Sequence, residues 1–178
     1  MQIALYVLLI LLSAVLVLNF LAPRSYHICR SIVVDRSSEE IFPFLKCLGN
    51  QELWSPWADK DPNMVKEFHG TDGEVGAVST WKGNKEVGEG EQEITRIIDG
   101  ELMETHLRFF KPFRSESDAY IKVEKMGAES SEITWGFSGE NKFPMRIFML
   151  FMNMEKHLGQ DFEYGLRKLK LHLEKQMV

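Results

Sequence analysis

The sequence predicts an α+β domain: a curved antiparallel sheet of seven strands with two short helices, closed by one long C-terminal helix and preceded by one N-terminal transmembrane helix. Three observations carry that expectation. The residues from Ile3 to Ala22 hold no charge. Between Tyr26 and Ser138, apolar residues recur in short runs of period two bounded by glycine, as half-buried strands require. From Pro144 to Glu174 the spacing changes to three or four, which gives a helix one apolar face.

The uncharged run covers twenty residues, and at ~1.5 Å per residue it spans ~30 Å of hydrocarbon. Only Gln2 precedes it, and Phe20 stands at the −3 position before Ala22, where a cleavage site wants a small residue. The segment therefore reads as an uncleaved anchor. Arg24, His27 and Arg30 follow it, and the positive-inside bias then places the remainder in the cytoplasm. Residues 1–24 form the anchor and residues 25–178 one globular domain, since about 155 residues suffice for a single core or cavity.

The first strand is Tyr26 to Asp35, with Ile28, Ile32 and Val34 at even spacing. Ser37 and Glu40 have the spacing of a capping box and start a helix from about Ser38 to Leu48, with Pro43 at an early position or a local distortion. A second short helix covers Asn50 to Trp54. Strands follow at Met64–His69, Ala77–Lys82, Glu89–Ile98, Leu102–Lys111, Glu116–Lys125 and Ser131–Ser138, with Asp99-Gly100 as a two-residue hairpin turn. The last helix runs unbroken from Pro144 to Glu174, its stripe formed by Ile147, Phe151, Met154, Leu158, Phe162, Leu166, Leu169 and Leu173.

The glycines from Gly70 to Gly90 raise the question of a phosphate loop. No Gly-Lys pair follows the spacing that cradles a phosphate, and Gly88 and Gly90 lead into a strand rather than a helix. Gly70, Asp72, Gly73 and Lys82-Gly83-Asn84-Lys85 lie between apolar runs, where turns belong. The net charge of −5, the pI near 5.6 and the lack of a Lys/Arg run exclude a nucleic-acid partner. Cys29 and Cys47 fall in strand and helix and read as free buried thiols.

Several stretches carry a resemblance: Tyr26-His-Ile-Cys-Arg-Ser-Ile-Val-Val-Asp35, Trp54-Ser-Pro-Trp57, Asp61-Pro62, the Gly73-to-Ala77 turn, Trp81-Lys-Gly83, Gly88-Glu-Gly90 and Gly159-Gln-Asp-Phe-Glu-Tyr-Gly-Leu-Arg-Lys-Leu-Lys170. Together they resemble the START/Bet v 1-like (SRPBCC) superfamily, and within it the membrane-anchored members grouped with polyketide cyclases and dehydrases. The resemblance covers about Tyr26 to Glu174. It implies a helix-grip arrangement, in which the sheet wraps the long helix around an apolar cavity. That fold hosts lipid carriers, sterol binders, cyclases and stress-response factors, so it does not by itself assign an activity.

Trp54 and Trp57 flank a proline ahead of the first hairpin, either touching ligand at the lip of a cavity or plugging the junction of helix and sheet. Trp81 and Trp135 sit on period-two strands, as cavity lining or plain core; Phe109, Phe137, Leu158 and Phe162 complete the candidate lining. Met149 and Met152 belong to a segment apolar on nearly every side. Such adaptable side chains suit a cavity entrance beside the bilayer, with Lys142 and Arg146 reaching headgroups, or a deeply buried helix start.

His106 and Arg108 share one face of a strand, either inward, orienting a ligand or acting in acid and electrostatic roles, or outward with Glu104. His157 and Asp161 make at most half of a metal site without a third ligand, and Glu163 with Arg167 reads as an i,i+4 surface pair. No catalytic set, metal or cofactor is expected. The leading expectation is a membrane-tethered binding module for an apolar small molecule or lipid held in the cavity between the sheet and the C-terminal helix. The alternatives are a polyketide cyclase/dehydrase-like enzyme using His106 or Arg108, and a protein-interaction domain with a collapsed interior.

Overall fold

The computed structural model describes residues 2–150 and 153–176. Helix α1 (Gln2–Leu21) leads into β1 (Ser25–Val34), α2 (Ser38–Leu45), a 3₁₀ turn (Gly49–Leu53) and α3 (Pro56–Lys60). Strands β2 (Val65–His69), β3 (Val78–Lys82), β4 (Glu89–Ile98), β5 (Leu102–Lys111), β6 (Ser115–Lys125) and β7 (Ser131–Glu140) follow, then α4 (Met145–Met149) and α5 (Met154–Gln176). All seven strands form one antiparallel sheet in the order β1-β7-β6-β5-β4-β3-β2, so the first strand closes onto the last.

Pairing register decides which residues share a face. Ile133 and Trp135 of β7 lie opposite Val123 and Ile121 of β6, and Met103 of β5 lies opposite Ile121. All are buried, so this is the concave face. Helix α5 lays Phe162, Leu166, Leu169 and Leu173 against it, and α2 adds Ile41, Phe42 and Leu45. Each such side chain contributes about 1.5–3 kcal/mol on leaving water.

Local chemistry moves several boundaries. The expected C-terminal rod is broken: α4 ends at Met149 and α5 begins at Met154. Asn153 starts α5, its Oδ1 accepting the Lys156 N–H at 2.9 Å. A short polar side chain that satisfies free helix donors outweighs the apolar periodicity running through it. Ser37 occupies the N-cap of α2 without a side-chain cap bond, so the expected capping box is not formed. Helix α2 stops at Leu45, where the Lys46 N–H closes onto Phe42 O at 3.0 Å. Pro56 at the first turn pre-sets the backbone for α3, a helix absent from the elements that the sequence predicts.

The glycine-rich segment is a set of turns. Asp72 accepts from the N–H groups of Leu48 (2.7 Å) and Gly49 (2.9 Å), tying the β2–β3 loop to the 3₁₀ turn. Gly88 holds φ +75°, and a Cβ there would lie 2.2 Å from Lys111 O, so the β3–β4 connection needs glycine. Between β4 and β5 the reversal takes residues 99–101, one more than expected, because Ile98 pairs with Leu102. Cys29 and Cys47 are free thiols, but Cys29 is exposed: its parity on β1 turns it away from Ile28 and Val34. Cys47 is partly buried, and burial pushes its thiol pKa up, with Asp72 adding to the shift.

Candidate functional site: the two ends of the concave face

At one end the concave face is solid. Trp135 stacks on Phe162 with ring centroids 4.1 Å apart and 7° between planes. Trp54 and Trp57 meet the Trp135 ring edge-on at 4.9 and 5.6 Å, and Trp57 also meets Phe162 edge-on at 6.3 Å. Offset and edge-on pairs of this kind add to the burial of large rings. Trp54 is 1% exposed and Phe162 1%, so under this part of α5 the expected cavity is filled, and Trp54, Trp135 and Phe162 are core there rather than lining. Lys168 and Tyr164 of α5 clamp Asp59 of α3 at 2.7 and 3.0 Å, and Lys60 reaches Asp161 at 2.7 Å. The bonds from Lys168 and Tyr164 hold the Asp59 carboxyl below the usual carboxylate range. Asp161 therefore serves the α3–α5 contact, while His157 is exposed.

The other end is open. Trp81, Phe109, Phe137 and Tyr26 lie on the same concave side, on β3, β5, β7 and β1, and all are only partly buried. Their rings form a chain: Trp81 to Phe109 at 5.7 Å, Phe109 to Phe137 at 6.5 Å, Phe137 to Tyr26 at 5.6 Å. Gly90 on β4 makes room for the first of them, since a Cβ there would come 2.5 Å from the Trp81 ring. Leu107 and Gln92 lie on the same floor, and the Gln92 amide donates to Thr105 at 3.0 Å. Tyr26 shares a 2.9 Å hydrogen bond with Ser117. Burial raises its phenol pKa, the Ser117 bond opposes that, and Asp118 adds to it.

A charged rim stands beside this floor. Arg30 has the parity of Ile28 and Ile32, which brings it to the concave side opposite Trp135. Its Nη1 donates to Glu155 at 2.8 Å and its Nε to Glu163 at 2.9 Å, both on α5. The two carboxylates hold the guanidinium charged. A Cβ at Gly159 would lie 2.2 Å from Arg30 Nη2, so glycine there lets the guanidinium lie against the helix in this position. Glu163 thus turns to Arg30 rather than to Arg167. Arg30 was read only as part of the basic flank, although the strand alternation already places it inward.

His106 and Arg108 stand on the opposite, convex face, because β5 presents Met103, Thr105, Leu107 and Phe109 inward. His106 Nδ1 lies 2.8 Å from Asp118, and Arg108 bridges Glu91 and Glu93, the latter at 2.7 Å. Those carboxylates hold Arg108 charged. Neither side chain reaches a ligand on the concave face, which removes the enzyme reading built on them. Among the described residues, no group of three or more His, Cys, Asp or Glu side chains is placed to hold a metal ion.

Two hollows open where α1 meets the domain. One, of about 460 Å³, lies between Tyr26, Ile28 and Met149, with Leu150, Met154 and Glu155 around it. It brings Met149 beside the Tyr26 end of the aromatic floor. The other, of about 490 Å³, is lined by Arg24, Lys142 and Arg146. Met152 lies outside the described residues. Leu158 packs against the core at its edge. Helix α1 is long and apolar enough to cross a membrane.

No family model and no curated relative matches the sequence. Solved structures are similar in shape. Major latex-like protein 151 from Panax ginseng aligns at TM-score 0.57 and 13% identity, over 84% of this chain and 98% of that one. CalU16 from Micromonospora echinospora aligns at TM-score 0.57 and 12% identity, over 86% and 79% of the two chains. A protein from Nitrosospira multiformis reaches TM-score 0.61 at 14% identity, over 85% and 99%. Likeness at such identities speaks to the fold. With seven antiparallel strands against a long C-terminal helix, this chain has the helix-grip fold, the arrangement that the resemblance to START/Bet v 1-like proteins implies.

Proposed function

We propose that the protein is a membrane-tethered binding module for an apolar small molecule or lipid, which lies on the aromatic floor at the open end of the concave face. The observation that carries this reading is the row of partly exposed rings from Trp81 through Phe109 and Phe137 to Tyr26. A soluble surface gains nothing from four such rings in line, whereas an apolar ligand is desolvated by them. Residues 1–24 are the anchor, residues 25–178 the binding domain, and the basic flank at Arg24 favours a cytoplasmic domain. Trp54, Trp135 and Phe162 act as the wall that ends the site, and Met149 as an adaptable edge.

No residue of α1 belongs to the core cluster, so residues 25–178 are suited to study by themselves. Titration of that domain with an apolar fluorescent probe is expected to saturate near one probe per chain. Replacing Trp81 and Phe109 by alanine is expected to weaken uptake roughly tenfold or more, from the lost burial of aromatic surface. Absence of saturable uptake by the folded domain would leave the protein-interaction reading in its place.

A further inference from the structure

We infer that the hollow at the foot of α1 is a headgroup site for an anionic phospholipid. Its charge is opposite to that of the chain: Arg24, Lys142 and Arg146 line it against the single carboxylate of Glu140, in a protein of net charge −5. Among the described residues, none of the three cations is within ion-pair distance of a carboxylate. Arg146 anchors the hollow to the helix by donating from one Nη to the backbone carbonyl of Asn19 in the last turn of α1. Its Nε is out of contact with solvent and, like the neighbouring Asn19 Oδ1, has no hydrogen-bond partner among the described residues, so the groups Arg146 turns to the hollow are those of its guanidinium end.

Depth matches chemistry. Arg24 lies just past Leu21, where a twenty-residue span reaches the headgroup layer. Phe143 and Phe148 are 63% and 61% exposed around α4, the place of interfacial aromatics that dip into the acyl boundary beside basic side chains. The inference rests on the membrane-tethered reading and adds to it the class of lipid that the tether meets.

The full chain in nanodiscs of mixed phosphatidylcholine and phosphatidylserine, followed by native mass spectrometry of the retained lipid, tests this. Phosphatidylserine is expected to be enriched, each basic residue contributing about fivefold near an anionic surface. The triple change Arg24→Gln, Lys142→Gln, Arg146→Gln is expected to return the ratio to that of the bulk bilayer. Lys142→Gln alone, at an exposed position, is expected to lower it about fivefold without touching the fold. Equal retention of both lipids by a chain that resists alkaline carbonate extraction overturns the headgroup site and leaves the tether standing. Release of the chain by carbonate overturns both. Saturable binding of inorganic phosphate to the detergent-solubilised chain, without phosphatidylserine enrichment, assigns the hollow to a free anion and overturns the lipid proposal.

Discussion

The two ends of the concave face are built from the same strands, yet one is core and the other, among the described residues, is only partly covered. At the Trp135 end, α5, the 3₁₀ turn and α3 bring Phe162, Trp54 and Trp57 down onto the sheet; Trp54, Trp135 and Phe162 are buried, with the partly buried Trp57 packed against them. At the Phe137 end, two residues further along β7, inward side chains of equal size remain partly exposed. Side-chain alternation decides which face a residue takes, but the covering element decides whether that face is core or site.

The sharpest way to break this contrast is to truncate one ring at each end. Phe162→Ala is expected to lower unfolding free energy by about 3–5 kcal/mol, the cost of a cavity among packed aromatics, measured by urea denaturation. Phe137→Ala is expected to cost about 1–2 kcal/mol, because its ring already meets solvent. Uptake of an apolar probe should divide the pair the other way: Phe137→Ala loses it, while Phe162→Ala, in the wall rather than the floor, lowers it less wherever the domain remains folded. Equal stability losses would show that the two ends are packed alike.

Tyr26 sharpens the contrast through pH. Its folded-state pKa is raised, so the stability it contributes is complete below the ordinary tyrosine value near 10 and is lost as pH rises through the raised value. Urea midpoints between about pH 9 and 11 are expected to fall more steeply for the native chain than for Tyr26→Phe. The variant also gives up the Ser117 bond, about 0.5–1.5 kcal/mol at neutral pH. An identical alkaline slope in both proteins would remove Tyr26 from the buried edge of the floor.

The smallest effects belong to the convex face. His106→Ala breaks a partly exposed hydrogen bond and Arg108→Ala partly exposed ion pairs, and each is expected to cost within about 1 kcal/mol. Probe uptake is expected to be unchanged. A loss of uptake in either variant would mean that the two faces communicate.

Much of the fold was legible because period-two runs and turn glycines are local signals; β4 and β5 fall at the residues that their alternation marks. The break at Asn153 was not, since a stripe of apolar residues crosses it and only the cap bond to Lys156 reveals that the helix restarts there. The site was half legible. Alternation put Trp81, Phe109, Trp135 and Phe137 on one face, but nothing local to those residues says that α5 covers Trp135 and leaves Phe137 partly exposed. The covering residues come from α5, which meets β1 through the pairs of Arg30 with Glu155 and Glu163, far away in sequence. His106 and Arg108 show the limit of like parity: two polar residues on one strand face mark a face, and the opposite face held the core.

The most direct test of the open floor is photolabelling of the full chain in nanodiscs with a light-activated alkyl diazirine, the adducts being mapped by mass spectrometry. Adducts on Trp81, Phe109 and Phe137, in addition to those on the apolar helix Gln2–Leu21, are the predicted result. Adducts confined to Gln2–Leu21 and Met145–Met149, with the sheet unlabelled, would contradict it.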